Sequence, residues 1–189
     1  MDLEQTQHIL SRLYTDEKFR TDFIANQEQF FWENEIKTPE AIAFFSSLSP
    51  EQLNFFANGL LSKRKHAVIK LIPASFKLMA DSFGSYFREH AARFSPDGIH
   101  IHHTDALNFI NYVAGIDANF KTNNYWNEVM NFERLLLLNF LKPPVFKISF
   151  HSFNPLHFYK RIVTEGNLSN PRLKKTILIW RKGKYKRVY

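Results

Sequence analysis

Cysteine is absent from the 189 residues, which excludes a disulfide framework and any thiolate metal site. Glycine is scarce: there are six, and none falls in the GxxxxGK or GxGxxG patterns that cradle phosphates. No GxSxG elbow presents a serine nucleophile. Long apolar runs are missing too, since the longest, "LLLLNFL", falls well short of the roughly 20 residues a membrane span needs. The opening "MDLEQTQHILSRLYTDEKF" is polar and amphipathic, without the basic start and apolar run of a secretory signal. These absences lead us to expect a soluble, cytoplasmic protein that carries no catalytic residues of its own.

Acidic residues are nearly missing from one region. Residues 142–189 hold twelve Lys/Arg against the single acid Glu165, a net +11. Residues 1–141 hold the other thirteen basic and seventeen acidic side chains, a net −4, and the two parts sum to the +7 of the whole. A strongly basic segment attracts nucleic acid, an acidic protein surface or an acidic peptide, and charge alone does not choose among them.

What is plentiful is material for a core. The chain is 44% apolar and includes twenty phenylalanines. Up to residue 141 the periodicity is helical. Residues 2–13 form one expected helix, and Thr15 or Asp16 caps a second that runs through Phe23 towards Phe31. Thr38 and Pro39 begin a third. "SPEQLNFFANGLLSKRKHAVIKLI" has a capping box in Ser49 and Gln52, with Pro50 at the first helical position. Pro73 interrupts that helix, and Phe76, Met79, Phe83 and Phe87 mark the next amphipathic stretch. "NYWNEVMNFERLLLLNFL" is apolar on nearly every side, as expected of a central helix.

"KPP" at 142–144 ends the helical part. Beyond it the period changes to two: "VFKISFH" sets Phe146, Ile148 and Phe150 against Lys147, Ser149 and His151. "NPLHFYKRIV" reads as a short helix, and "TILIWRKGKYKRVY" as a hairpin around Lys182 and Gly183. The expected fold class is therefore α+β, an all-helical bundle over 1–141 followed by a basic β-α-β-β domain over 142–189 with a three-stranded sheet.

Two stretches invite a functional reading. "GIHIHHTDALNF" packs His100, His102 and His103 into four positions with Asp105 two residues on. A metal site needs further ligands that converge, and the chain offers neither HExxH nor facial-triad spacing. A loop leading into a helix capped by Thr104 is the plainer expectation, with no metal on this chain. Paired carboxylates such as Glu33 and Glu35 fit a solvated face. The other stretch, "RLKKTILIWRKGKYKRVY", interleaves cations with apolar residues. It fits a basic hairpin touching nucleic-acid phosphates, a sheet edge accepting an extended peptide, or simply a sheet kept soluble by lysines.

"LYTDEKFRTDFIANQEQFF", "LSPEQLNFFANGLLSKRKHAVIKLIP", "HHTDALNFINYV" and "FNPLHFYKRIVTEGNL … ILIWRKGKYKRV" together cover most of the chain. They resemble the helical partner subunits of iron-dependent TIM-barrel oxidases in pathways to ribosomally made peptide products (RiPPs), and most of all the MbnC family of methanobactin biosynthesis proteins. The resemblance implies a non-catalytic subunit of a heterodimer. Its MbnB-like barrel partner would hold the iron and use dioxygen to convert cysteines of an MbnA-like precursor peptide into oxazolone and thioamide groups. This chain would grip the leader of that peptide as an added strand, on strand 145–151 or 184–189. The expected peptide-facing or sheet-core set is Phe146, Ile148, Phe150, Ile177, Ile179, Tyr185 and Arg187. His100, His102 and His103, with helix 50–72 and the 94–104 loop, are the expected partner interface. A DNA-binding regulator using the basic hairpin is the alternative.

Overall fold

A computed structural model describes the chain except residues 1–2, 118–121, 123, 144–145, 182–183 and 189, and except the side chains of Asn124, Tyr185, Lys186, Arg187 and Val188. The fold is α+β: helices predominate and a small antiparallel sheet follows them. The Cα packing divides the chain into two compact units, Met1–Lys65 and His66–Tyr189. The boundary expected at 141/142 therefore lies inside the second unit, and the basic segment shares that unit with the helices before it.

The first unit is built from α1 (Leu3–Thr15), α2 (Glu17–Ala25), α3 (Gln27–Glu33), α4 (Pro39–Ser46) and the start of α5 (Pro50–Leu71). The single helix expected from residue 16 towards Phe31 is two. Asn26 separates them because its side chain accepts the Gln29 amide at 3.1 Å, ending one helix and capping the next. Asp16 caps α2 in the same way, accepting from the Phe19 amide at 3.0 Å. Ser49 accepts from the Gln52 amide at 3.2 Å, so one half of the expected capping box is formed. The core contains Ile9, Leu13, Phe19, Phe23, Phe30, Phe31, Ile36, Ala41, Phe45 and Leu53. Its phenylalanines meet edge to face, Phe19 and Phe23 lying 4.7 Å and 5.1 Å from Phe30 between ring centroids.

The second unit holds α6 (Pro73–Met79), α7 (Ser82–Arg93), α8 (Ile101–Ile116), α9 (Asn124–Leu141), β1 (Lys147–His151), α10 (Pro155–Glu165), β2 (Thr176–Arg181) and β3 (Lys184–Val188). The all-round apolar helix is central here: α9 packs on α6, α8 and α10 and buries Val129, Met130, Phe132 and Leu137. Pro73 breaks the chain between α5 and α6, and the amides it frees are not left bare. Glu133 of α9, fully buried, accepts from the Ala74 and Ser75 amides at 2.9 and 2.8 Å. Asn154 caps α10 by accepting the His157 amide at 3.2 Å, and Gly166 closes it in the left-handed region at φ 66°.

The strands pair antiparallel in the order β1-β2-β3. Ile148 stands opposite Ile179 and Phe150 opposite Ile177, while Tyr185 and Arg187 stand opposite Trp180 and Leu178. The expected turn at Lys182–Gly183 lies outside the described residues. Leu178 and Trp180 pack on Phe132 of α9, with Leu135, Leu136 and Tyr159 around them. That contact supports the sheet, which is too small to stand alone.

Candidate functional site: the border strand and its polar underside

The sequence pattern of β1 points its apolar residues at a core, and the structure reverses it. Phe146, Ile148 and Phe150 are 60, 43 and 76% exposed, whereas His151 is buried and Ser149 half-buried. The reason is on β2. Its inward side chains, Thr176, Leu178 and Trp180, are buried on the side that packs on α9, and the pairing aligns them with His151, Ser149 and Lys147. Cross-strand partners share a face, so Ile177 and Ile179, both half-buried, join Phe150 and Ile148 on the outer side. Five of the seven expected peptide-facing residues thus share one side of the sheet. The side chains of the other two, Tyr185 and Arg187, lie outside the described residues, and their register partners belong to the inner side.

Among the described residues no strand pairs with the outer border of β1. Such a border offers backbone N–H and C=O groups at regular spacing. Beneath it runs a polar chain that links three elements. Trp180 Nε1 donates to Ser149 Oγ at 3.0 Å, and Ser149 Oγ and His151 Nε2 share a hydrogen bond of 3.0 Å. His151 Nδ1 lies 3.6 Å from Glu128 Oε2 on α9. Glu128 also receives the Ser152 hydroxyl and, at 3.1 Å, the Ser152 amide. Burial pushes the Glu128 carboxyl up, but the contacts with His151 and Ser152 outweigh it and hold the group below its ordinary value.

Serine, histidine and carboxylate in that order have the composition of a nucleophile relay. Here the serine oxygen already takes the indole N–H, the histidine stands 3.6 Å from its carboxylate, and the whole faces the underside of a sheet. What the arrangement does well is anchor: β2, β1 and α9 are tied through part-buried polar atoms. The sequence pattern sets Ser149 and His151 opposite the apolar residues without assigning either side of the strand, and it does not reveal this chain. Its signal was two polar residues at i, i+2 that match the strand period, and their partner Glu128 is distant in sequence.

The histidine cluster sits elsewhere in the second unit. α8 begins at Ile101, with His100 at its N-cap and His102 and His103 in its first turn, so Thr104 lies inside the helix and does not cap it. The His103 ring stacks on Phe140 of α9 at 3.8 Å between centroids, and His100 meets the same ring edge-on at 5.2 Å. Desolvation there, followed by repulsion from His100 and His102, lowers the His103 pKa. Asp105 turns away from the cluster and pairs with buried His90 at 2.9 Å. Among the described residues no group of three or more His, Cys, Asp and Glu is arranged to hold a metal ion. No described helix is long and apolar enough to cross a membrane.

Comparisons with protein-family models, with curated proteins and with solved structures find no match.

Proposed function

We propose that the chain is a non-catalytic, peptide-presenting subunit, and that an extended precursor peptide adds as a further strand along the outer border of β1. The reading takes the sheet as three strands with residues 142–189 as the peptide-binding part, in a cytoplasmic protein. The single observation that carries it is the exposure of Phe146, Ile148 and Phe150 beside a strand border with which, among the described residues, no strand pairs. An added strand gains main-chain hydrogen bonds along β1, and the apolar ridge beside it selects alternate side chains of the guest. β3 serves the purpose less well. Its sequence, Lys184, Tyr185, Lys186, Arg187, is the cation-rich kind that keeps an edge from pairing.

In this reading the oxidation of the peptide's cysteines takes place on an iron-dependent barrel subunit, and this chain binds no iron. The exposed turn of His100 and His102, with His103 on Phe140, is the surface turned to that partner. The resemblance to the methanobactin family supports the choice of reaction, in which oxazolone and thioamide groups form.

A synthetic methanobactin-type leader peptide tests the proposal by backbone amide exchange. Binding is expected to slow exchange over Lys147–His151 and to fall only shallowly with salt. Protection confined to β3, or no protection at saturating peptide, refutes it. Tight binding of duplex DNA with a steep log–log salt dependence would make the chain a nucleic-acid binder instead.

A further inference from the structure

β1 carries a conflict between its pattern and its placement. Because its apolar and polar residues strictly alternate from Phe146 to His151, sliding it by one residue against β2 exchanges the two sides. Removal of apolar surface from water favours the slipped register, which turns Phe146, Ile148 and Phe150 towards α9. In the observed register these three face solvent, while His151 is only 8% exposed. Something must oppose the slip.

The opposing interactions are the links beneath the strand. Trp180 Nε1 donates to Ser149 Oγ, and Ser149 Oγ and His151 Nε2 share a hydrogen bond. His151 Nδ1 lies 3.6 Å from Glu128, beyond hydrogen-bond reach, and the link to α9 runs through Ser152, whose amide and hydroxyl both donate to Glu128. The chain of hydrogen bonds runs from the indole through Ser149 to His151. It closes only when Ser149 and His151 both point inward. A slip of one residue breaks the middle of it and strands the Trp180 N–H under the sheet, where an unpaired donor is unfavourable.

We infer that the Trp180–Ser149–His151 chain, anchored on α9 through the Ser152–Glu128 hydrogen bonds, is a latch that holds β1 with its apolar side outward, and that without the latch the strand slips by one residue and buries that side. The peptide-facing surface is then a held state of the strand, not a consequence of its hydrophobic pattern. This inference concerns the chain alone and does not depend on which guest, if any, β1 receives.

The absence of cysteine makes the test clean, since any introduced thiol is the only one present. Ile148→Cys and Phe150→Cys are made separately, and the rate of thiol reaction with a water-soluble maleimide is measured in folded protein. Each is then combined with His151→Leu, with the milder Glu128→Gln, and with Trp180→Phe, which deletes only the indole N–H and part of the ring. Helix content measured by circular dichroism identifies the variants that remain folded. The expected result is a rate at least tenfold slower at both positions in the latch variants. Rates that stay unchanged overturn the latch. Rates that rise, as from a strand that detaches, overturn the slipped register and with it the proposal. Slowing in a chain that binds no leader peptide upholds the latch and removes the peptide reading alone.

Discussion

The two units bury different kinds of side chain. Among the described residues, Met1–Lys65 buries apolar groups, whereas His66–Tyr189 buries His90, Asp105, Asp117, Glu133, Asn139 and His151 beside its apolar core. In the first unit the polar work is done at helix ends near the surface, by Asp16 and Asn26. In the second it is done inside, by the His90–Asp105 hydrogen bond and by a carboxylate that caps a helix from another helix. An apolar core specifies packing but no particular partner for each group. A buried polar group accepts few geometries, so it fixes register and orientation as well as contributing to stability. The difference matters most at β1, where polar contacts decide which side of the strand meets water.

Four measurements would break or sharpen this contrast, in order of decreasing effect on stability. Phe23, fully buried and edge-on to Phe30, is an apolar contact of the first core. Phe23→Ala should cost about 3–5 kcal/mol in denaturant unfolding of the first unit, with no change in its pH dependence. A strong pH dependence of that loss would mean that ionisable groups support this core after all.

Glu133 supplies the opposite case. Burial raises its carboxyl to about 7, against weaker lowering by Ser75 and by the Ala74 amide. A folded-state value above the ordinary one means that its contribution is fully present below pH 4.5 and is lost as pH rises through 7. The stability of the second unit should therefore fall between pH 4.5 and pH 7 by up to about 3 kcal/mol. Glu133→Gln should flatten that slope. A slope that survives the substitution places the titrating group elsewhere.

Smaller effects follow from the surface. Asp16→Ala removes the acceptor for the Phe19 amide and should cost about 1 kcal/mol in thermal unfolding. Phe150→Thr touches a side chain already 76% exposed, so stability should change by less than about 0.5 kcal/mol. Under the peptide reading the same substitution should nevertheless weaken leader binding at least tenfold, measured by calorimetry. Undiminished binding would show that the ridge does not face the guest.

Much of the helical architecture was legible because it is local. The caps at Asp16 and Asn154, the half-formed box at Ser49 and the break at Pro73 each depend on residues within a few positions of one another. The central role of α9 was legible from its lack of a polar side. Asn26 was missed because the apolar period runs on across it, and only its side-chain hydrogen bond reveals the break. Thr104 was a good cap by residue type, yet the helix begins a turn earlier, where His100 and His103 meet Phe140. The histidine cluster was visible as a cluster, but its aromatic partner is distant in sequence.

Composition and periodicity by themselves determined that helices come first and that a basic two-period segment follows. They did not determine which side of β1 would be dry. An alternating strand is equally regular read either way, and the choice depends on what waits beneath it. Trp180 occupies the apolar space while Glu128 and the indole N–H supply polar partners, and only the folded chain brings both under Ser149 and His151.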